Sequence, residues 1–352
     1  MNNWAPALGR RSKSARLVEK LQAYLESRGL DGLIPAGRVS VKSLSLYEKQ
    51  GLSNEMYLVK IGTAGGGAKD LMLRLYAGDG KKALREYKLL KLLGRKNLPV
   101  PKVYAVEVSG KILGKPFLIM EKVEETPPRE EREAMDAAAM SLVEVHKLEP
   151  VELEGILERK GAYPLSEFND LKAMLVVLAF STHRILGSFP KYWKQVKMLE
   201  VEGRSVSSTP RLVHGDYGLD NVVHKEGKAY VVDWESAEIA EPTLDVAYTC
   251  NMLGFGDELA GRRENKLSDS FLEAYRRHGG TTRDLDFYKR LAALKLLLMI
   301  EILGFPSLFS IFVGRLRKTM KKPEVRLLFG KLREYLLCAL EDKQAAPTSR
   351  NP

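Results

Sequence analysis

Two carboxylates and one amide lie close together in the sequence, next to short apolar runs. Asp216 and Asp233 follow the apolar pairs Leu212-Val213 and Val231-Val232, and Asn221 lies between the two carboxylates. A buried strand would continue such runs with apolar residues, so these polar positions indicate a site where chain segments meet. Carboxylate and amide oxygens are hard ligands, which suit magnesium better than zinc. A loop that uses Asp and Asn only to form turns is the alternative.

The order and spacing of these residues are typical of phosphoryl transfer. In kinase-type phosphotransferases an Asp, an Asn five residues later and an Asp at a strand end hold the acceptor hydroxyl and the magnesium-bound nucleotide, and this sequence has the same order. With His214-Gly215 in front of Asp216, the stretch resembles the aminoglycoside phosphotransferase/choline kinase-like family of small-molecule kinases. The later stretch Asp233-Trp234-Glu235, followed by Pro-x-x-Asp245-x-Ala, has the same resemblance.

The resemblance implies a fold and a set of roles. The implied fold is α+β and bilobal, protein-kinase-like, with a small antiparallel-sheet N-lobe and a larger, mostly helical C-lobe. Asp216 would be the catalytic base, and Asn221 and Asp233 would hold magnesium. His214 and Asp245 would support the catalytic loop, although an Asp at a helix N-terminus also occurs without such a role. The implied cofactors are ATP and Mg²⁺.

Phosphate-binding groups are expected near the N-terminus, between the strands predicted at 39–46 and 56–61. Gly51 permits close approach of the backbone, and Ser53 and Asn54 offer donors to phosphate oxygens. The same residues also make an ordinary turn. The glycine run at 65–67 lacks the Gly-Lys-Ser/Thr of a Walker loop, and a hairpin tip is the better interpretation.

An ion pair is predicted between the third strand and the helix that follows it. Arg74 is the only charge in the apolar stretch 71–75, and Glu86 lies in a helix predicted over 81–93. In kinases such a pair fixes a positive charge beside the nucleotide phosphates. Most kinases have Lys at this position and Arg is not its equivalent, but some branches of the family resembled here use Arg. A surface Arg and an unrelated Glu on a helix face are the alternative.

Adenine is expected to contact the backbone of a hinge at Glu121 to Val123, where the sheet ends. A charged stretch with two prolines follows, so the N-lobe is predicted at 14–123 and the C-lobe at 124–343. Residues 1–13 and 344–352 are expected to be disordered. Stretch 291–313 is apolar, but its Lys295, Glu301 and Pro306 argue for buried helices instead of a membrane span.

Composition narrows the functional class. The 352 residues carry a formal net charge of +11, but the basic residues are dispersed and no nucleic-acid-binding motif accompanies them, so nucleic-acid binding is not expected. Cys250 and Cys338 form no disulfide pattern, and residues 1–14 have no apolar segment typical of a secretory signal. A cytoplasmic location is therefore the expectation.

A small hydroxylated molecule is the expected phosphate acceptor. About eleven residues separate Asp233 from Asp245, which is too short for the activation segment on which protein kinases bind polypeptides. The sequence leaves open whether the acceptor is an aminoglycoside, a sugar, an amino alcohol or a hydroxy acid. A catalytically weak or silent nucleotide-binding pseudokinase or scaffold protein is the alternative, and an RNA-binding protein is a third possibility.

Overall fold

The computed structural model describes residues 5–48, 54–62, 66–158, 164–181, 189–303 and 322–341. The chain divides into two compact units. The N-terminal unit comprises Met1–Glu125 and Tyr230–Glu235, and the C-terminal unit comprises Thr126–Ala229 and Ser236–Pro352. The sequence analysis placed residues 230–235 in the C-lobe because of their order in the chain. They group with the N-terminal unit, where the Val231 amide donates to the Pro99 carbonyl at 2.9 Å.

The N-terminal unit is built on one antiparallel sheet. Its five strands have the order β1-β2-β3-β5-β4. Arg74 on β3 lies opposite Met56 on β2 and Leu118 on β5, so it occupies the middle of the sheet. The elements of this unit are α1 (Ala5–Arg28), β1 (Ser40–Leu46), β2 (Glu55–Gly62), β3 (Ala68–Leu75), α2 (Lys81–Arg95), β4 (Val103–Glu107) and β5 (Phe117–Glu121).

Strand β3 sends alternate side chains to opposite faces of the sheet, as a pleated strand must. Leu71, Leu73 and Leu75 belong to the apolar cluster that contains Leu21 and Leu25 of α1. Arg74 points the other way, where its guanidinium meets Glu86 of α2. One helix therefore covers each of the two faces, and a single strand supplies both an apolar core and a buried cation.

Helix α1 is longer than predicted. It begins at Ala5 and therefore includes residues 5–13, which were expected to be disordered. These residues include Ala, Leu, Arg and Lys, which are strong helix formers, so the helix extends through them.

The C-terminal unit is mostly helical. Two short antiparallel strands, β6 and β9, bracket the segment that contains the predicted catalytic residues. The elements that begin in this unit are α3 (Glu131–His146), α4 (Leu165–Ser181), α5 (Phe189–Gly203), β6 (Arg211–Val213), β7 (Val222–Lys225), β8 (Lys228–Val231), β9 (Glu238–Ala240), α6 (Thr243–Leu259), α7 (Leu267–Arg277), α8 (Leu285–Leu303) and α9 (Pro323–Glu341). The predicted α+β class is confirmed.

Five helices enclose the core of the C-terminal unit. Side chains from α4, α5, α6, α8 and α9 form one cluster, which includes Phe168, Tyr192, Leu244, Leu291 and Leu336. Within the described part of the chain, no helix is long and apolar enough to cross a membrane. The second half of the apolar stretch 291–313, from residue 304, and the tail predicted at 344–352 lie outside the described residues.

Candidate active site

The predicted ion pair of the N-terminal unit is present and has a third member. The Nη1 atom of Arg74 lies 3.0 Å from both carboxylate oxygens of Glu86 and 2.8 Å from Oδ1 of Asp233. Tyr76 donates its hydroxyl to Glu86 at 2.5 Å. Arg74 is 5% exposed and Glu86 1%. Arg74, Glu86 and Asp233 are called the Arg74 cluster below.

The electrostatics of the Arg74 cluster keep the guanidinium charged. Burial opposes the charge of Arg74, but the carboxylates of Glu86 and Asp233 outweigh that effect and raise its pKa. Burial also raises the pKa of Glu86, against the lowering effect of Arg74 and the Tyr76 hydroxyl. A buried charge is tolerated only when it is paired and hydrogen-bonded, and here one cation faces two carboxylates.

One buried nitrogen of Arg74, Nε, makes no hydrogen bond to the described residues. An unpaired buried donor is costly, and an anionic oxygen placed beside it would remove that cost. The cluster therefore fits a phosphate group better than it fits a closed structural ion pair.

Asp233 sits at a backbone position that most residues avoid. Its φ is 66°, in the left-handed region that Asp tolerates better than most side chains. Arg74 engages Oδ1, and Oδ2 has no hydrogen bond or ion pair among the described residues. A carboxylate with one oxygen fixed and the other available suits a hard cation. No group of three His, Cys, Asp or Glu residues that could hold a metal occurs in the described ranges.

Asn54 has a partner that the sequence did not suggest. Its side-chain amide donates to Glu235 Oε2 at 2.7 Å, and Arg85 donates to the Glu235 carbonyl. The start of β2 is thereby tied to the segment just after Asp233. Gly51 and Ser53, the other predicted phosphate contacts, lie outside the described residues.

The two predicted hinge residues, Glu121 and Val123, differ in the hydrogen bonds that their backbone groups make. The Glu121 amide donates to the Lys102 carbonyl at 2.7 Å, and Glu121 Oε2 accepts from the Lys102 amide at 3.2 Å. The backbone of Val123 has no hydrogen bond within the described part of the chain. Of the two, Val123 is therefore the one whose amide and carbonyl are available to a purine edge.

The predicted catalytic loop lies in the C-terminal unit, where the Asp245 carboxylate hydrogen-bonds to its backbone. Oδ2 of Asp245 accepts from the His214 amide at 2.6 Å, and Oδ1 accepts from the Gly215 amide at 2.9 Å. Nε2 of His146 lies 3.2 Å from Oδ2. Burial opposes the charge of Asp245, but His146 and the His214 amide outweigh it and lower the pKa of this carboxyl.

His146 lies at the C-terminal end of α3, and its contact with Asp245 was not predicted from the sequence. Its Nδ1 lies 2.8 Å from the hydroxyl of Tyr275, so the ring is held at both nitrogens. Because His146 and Asp245 are far apart in sequence and on different helices, no local pattern could have paired them.

Asp216 and Asn221 are brought together at the end of the same loop. Nδ2 of Asn221 donates to the Asp216 carbonyl at 2.9 Å and contacts Asp216 Oδ2 at 3.3 Å. This orientation commits the nitrogen of the Asn221 amide to Asp216, so its oxygen remains for a cation. Asp216 also accepts from the hydroxyl of Tyr248 at Oδ1, a contact the sequence analysis missed. The signal for it was the i,i+3 spacing of Asp245 and Tyr248 on one helix face.

The structure thus brings together Arg74, Glu86 and Asp233 in one unit, and Asp216 with Asn221 in the other. In the second unit Asp245 accepts from the backbone of His214 and Gly215. The catalytic and ligand roles of these residues stay predictions.

The sequence of this chain matches the model of a known protein family. The model of the Phosphotransferase enzyme family matches residues 49–290. The Arabidopsis thaliana protein named Probable acyl-CoA dehydrogenase IBR3 is 27% identical over 229 residues, which cover 57% of this chain. The chain spans only 27% of the length of that relative.

Solved structures share the fold at low sequence identity. Plasmodium vivax ethanolamine kinase has a TM-score of 0.60 and 18% identity, over 88% of this chain and 84% of the kinase. The choline kinase LicA from Streptococcus pneumoniae has a TM-score of 0.58 and 15% identity, over 91% and 98%. These likenesses establish a kinase-like fold, and because the family model covers well over half of the sequence, the chain belongs to the Phosphotransferase enzyme family.

Proposed function

We propose that this protein is an ATP-dependent kinase that transfers the γ-phosphoryl group to a hydroxyl of a small molecule. The observation that carries the proposal is the Arg74 cluster. A buried, permanently charged guanidinium is held by Glu86 and Asp233 and keeps a buried donor unpaired. Phosphoryl transfer depends on positioning and charge neutralisation more than on a covalent nucleophile, and such a cation serves that purpose.

Nucleotide binding is assigned to residues of the N-terminal unit. Arg74 would contact the non-transferred phosphates through its unpaired Nε–H, with Glu86 fixing the direction of the guanidinium. The backbone of Val123 would hydrogen-bond the adenine edge. The Asn54 side chain would hold Glu235 and so fix the backbone just after Asp233. The Asn54 backbone could in addition contact a phosphate.

Magnesium is assigned to Asn221 and Asp233. Each residue offers one side-chain oxygen, and neither offers nitrogen or sulfur, which is the donor chemistry that magnesium prefers. A Mg²⁺ ion bound there would neutralise the charge of the phosphate oxygens.

Asp216 is assigned as the catalytic base. It would accept a hydrogen bond from the acceptor hydroxyl and orient its oxygen toward the phosphorus. The bond between that oxygen and phosphorus forms, the bond to the β-phosphate oxygen breaks, and the hydroxyl proton passes to Asp216 late in the transfer. His214, whose amide is bound to Asp245, supports the loop and takes no proton.

A screen of acceptors for ADP release tests the proposal. The panel contains an aminoglycoside, sugars, amino alcohols and hydroxy acids. It also contains a hydroxylated acyl-CoA thioester, because curated relatives carry acyl-CoA dehydrogenase names. The expected result is ADP release that depends on one acceptor class and falls about 10²- to 10⁴-fold in the Asp216→Asn variant, the usual effect of a positioned base.

Two outcomes would contradict the proposal. Equal turnover of the wild-type protein and the Asp216→Asn variant would remove Asp216 from its role. Binding of magnesium-ATP without ADP release, either with the panel or with water as acceptor, would favour the silent nucleotide-binding alternative.

A further inference from the structure

Helix α6 contacts the predicted catalytic loop with three side chains on one face. Asp245 accepts from the amides of His214 and Gly215, as described above. Thr249 donates to the carbonyl of Tyr217 at 2.6 Å. Between them, Tyr248 donates its hydroxyl to Oδ1 of Asp216. Two of the three contacts hold the backbone of the loop, and only the contact from Tyr248 reaches a side chain.

From this geometry we propose that Tyr248 is a positioning residue for Asp216. Its hydroxyl holds Oδ1 of the carboxylate in one direction and leaves Oδ2 for the hydroxyl of the acceptor. The inference rests on the proposed function, since it assumes that Asp216 is the base. It adds a residue whose effect on the reaction passes entirely through Asp216.

No other side chain described here can replace this contact. The carboxylate of Asp216 has one further donor among the described residues, the Asn221 amide, at 3.3 Å from Oδ2. That amide is closer to the Asp216 carbonyl, at 2.9 Å, and therefore fixes the backbone better than the carboxylate. Without Tyr248 the carboxylate could turn about its last torsion, which is broad for Asp, and exchange its two oxygens.

The hydroxyl of Tyr248 stays a donor over the whole working range of pH. Burial and the charge of Asp216 both raise its pKa. Tyr248 also packs against the apolar core of the C-terminal unit, so its ring is fixed independently of the hydrogen bond. A Phe at this position would keep the ring and remove only the donor.

The test compares Tyr248→Phe with Tyr192→Phe. Tyr192 is a matched control because its buried hydroxyl donates to Glu301 at 2.8 Å in the same unit, with no link to Asp216. ADP release is measured with water as acceptor and with any acceptor from the screen. We expect kcat of Tyr248→Phe to fall about 10- to 100-fold, the effect of a lost hydrogen bond to a charged group. KM for ATP and Tm should stay close to wild type, and Tyr192→Phe should keep its kcat.

A double-variant cycle separates positioning from a general structural effect. In the Asp216→Asn background, Tyr248→Phe should cause no further loss, because a residue that acts through another loses its effect when that other is changed. The same fold loss in both backgrounds would overturn the inference. A wild-type kcat in Tyr248→Phe would also overturn the inference. If Asp216→Asn is inactive in the same experiment, the proposed function still stands. If Asp216→Asn itself has wild-type kcat, the proposed function fails and the inference fails with it.

Discussion

Arg74 shows how one residue defines a site in this protein. Its side chain lies in the interior, between two carboxylates, and all of its recorded hydrogen bonds come from a single nitrogen. A lysine at this position would place one compact ammonium group in the same region. It could pair with Glu86 and contact a phosphate with another of its three N–H donors, but without the planar fork it could not keep the two partners on separate nitrogen atoms. The use of Arg therefore has a consequence for nucleotide affinity.

The Arg74→Lys variant should bind magnesium-ATP about tenfold more weakly than wild type, which is the effect of losing a hydrogen bond to a charged group. Isothermal titration calorimetry measures the affinity, and a thermal melt checks that the variant is folded. Arg262→Lys is the control, because Arg262 forms an exposed pair with Glu131 at 2.7 Å in the C-terminal unit. Unchanged affinity in Arg74→Lys would remove Arg74 from the phosphate site.

Contacts between residues that are close in the sequence could be predicted better than contacts between distant residues. A charge inside an apolar strand must point away from the core and needs a counter-ion, so the pairing of Arg74 with a carboxylate on the next helix could be predicted and is present. The contacts of Asn54 with Glu235 and of His146 with Asp245 join positions far apart in the chain. Their side chains have no unusual local pattern, so only the folded chain identifies them.

At the scale of elements, α6 and the loop between β6 and β7 act together. Each residue from 214 to 217 receives a contact from α6, so the loop conformation depends on the helix. Gly215 also lets the backbone of Ser236, which lies before α6, approach the same loop closely. It has φ of +80°, and a Cβ atom there would lie 2.3 Å from the carbonyl oxygen of Ser236.

The Gly215→Ala variant should be destabilised by more than Gly261→Ala. Gly261 is a matched control, since its φ is +67° but a Cβ atom there meets nothing within 4 Å. Both variants carry the strain of a left-handed alanine, about 1–2 kcal/mol. Only Gly215→Ala adds a clash with backbone, so the loop must move. Urea denaturation followed by circular dichroism measures the free energy of unfolding, and equal losses in the two variants would contradict the close approach.

Element boundaries were predicted less well than element types. The strands and helices follow from their apolar periodicity, and the last described helix spans Pro323–Glu341. Residues 5–13 were expected to be disordered but lie within α1, because helix formers are common in that stretch. Propensity alone gives no sharp boundary in a stretch where every residue is compatible with the helix.

At the scale of the whole molecule, the assignment of residues 230–235 to the N-terminal unit is the main departure from chain order. Asp233 follows the predicted catalytic loop in sequence but is held by Arg74 of β3. Asn221 belongs to the C-terminal unit, whereas Asp233 belongs to the N-terminal unit. Sequence order predicts that both residues matter, but it cannot indicate that they are supported by different parts of the fold.

The proposed function predicts that magnesium and nucleotide together stabilise the folded protein. A ligand that binds only the folded state at 100 times its Kd adds about 2.7 kcal/mol to the free energy of unfolding. For a chain of this size we expect Tm to rise by about 3 to 5 °C with magnesium-ATP, and by less with ATP in the presence of EDTA. Differential scanning calorimetry measures the shift.

The Asp233→Asn variant identifies the residue responsible for the dependence on magnesium. With one fewer negative charge toward a divalent cation, it should show the same small shift with and without magnesium. Asp70→Asn is the control, because Asp70 forms a partly exposed pair with Lys60 at 3.7 Å, also in the N-terminal unit. A full magnesium-dependent shift in Asp233→Asn would exclude Asp233 as a ligand. Loss of the shift in both variants would instead point to a general effect of negative charge in this unit.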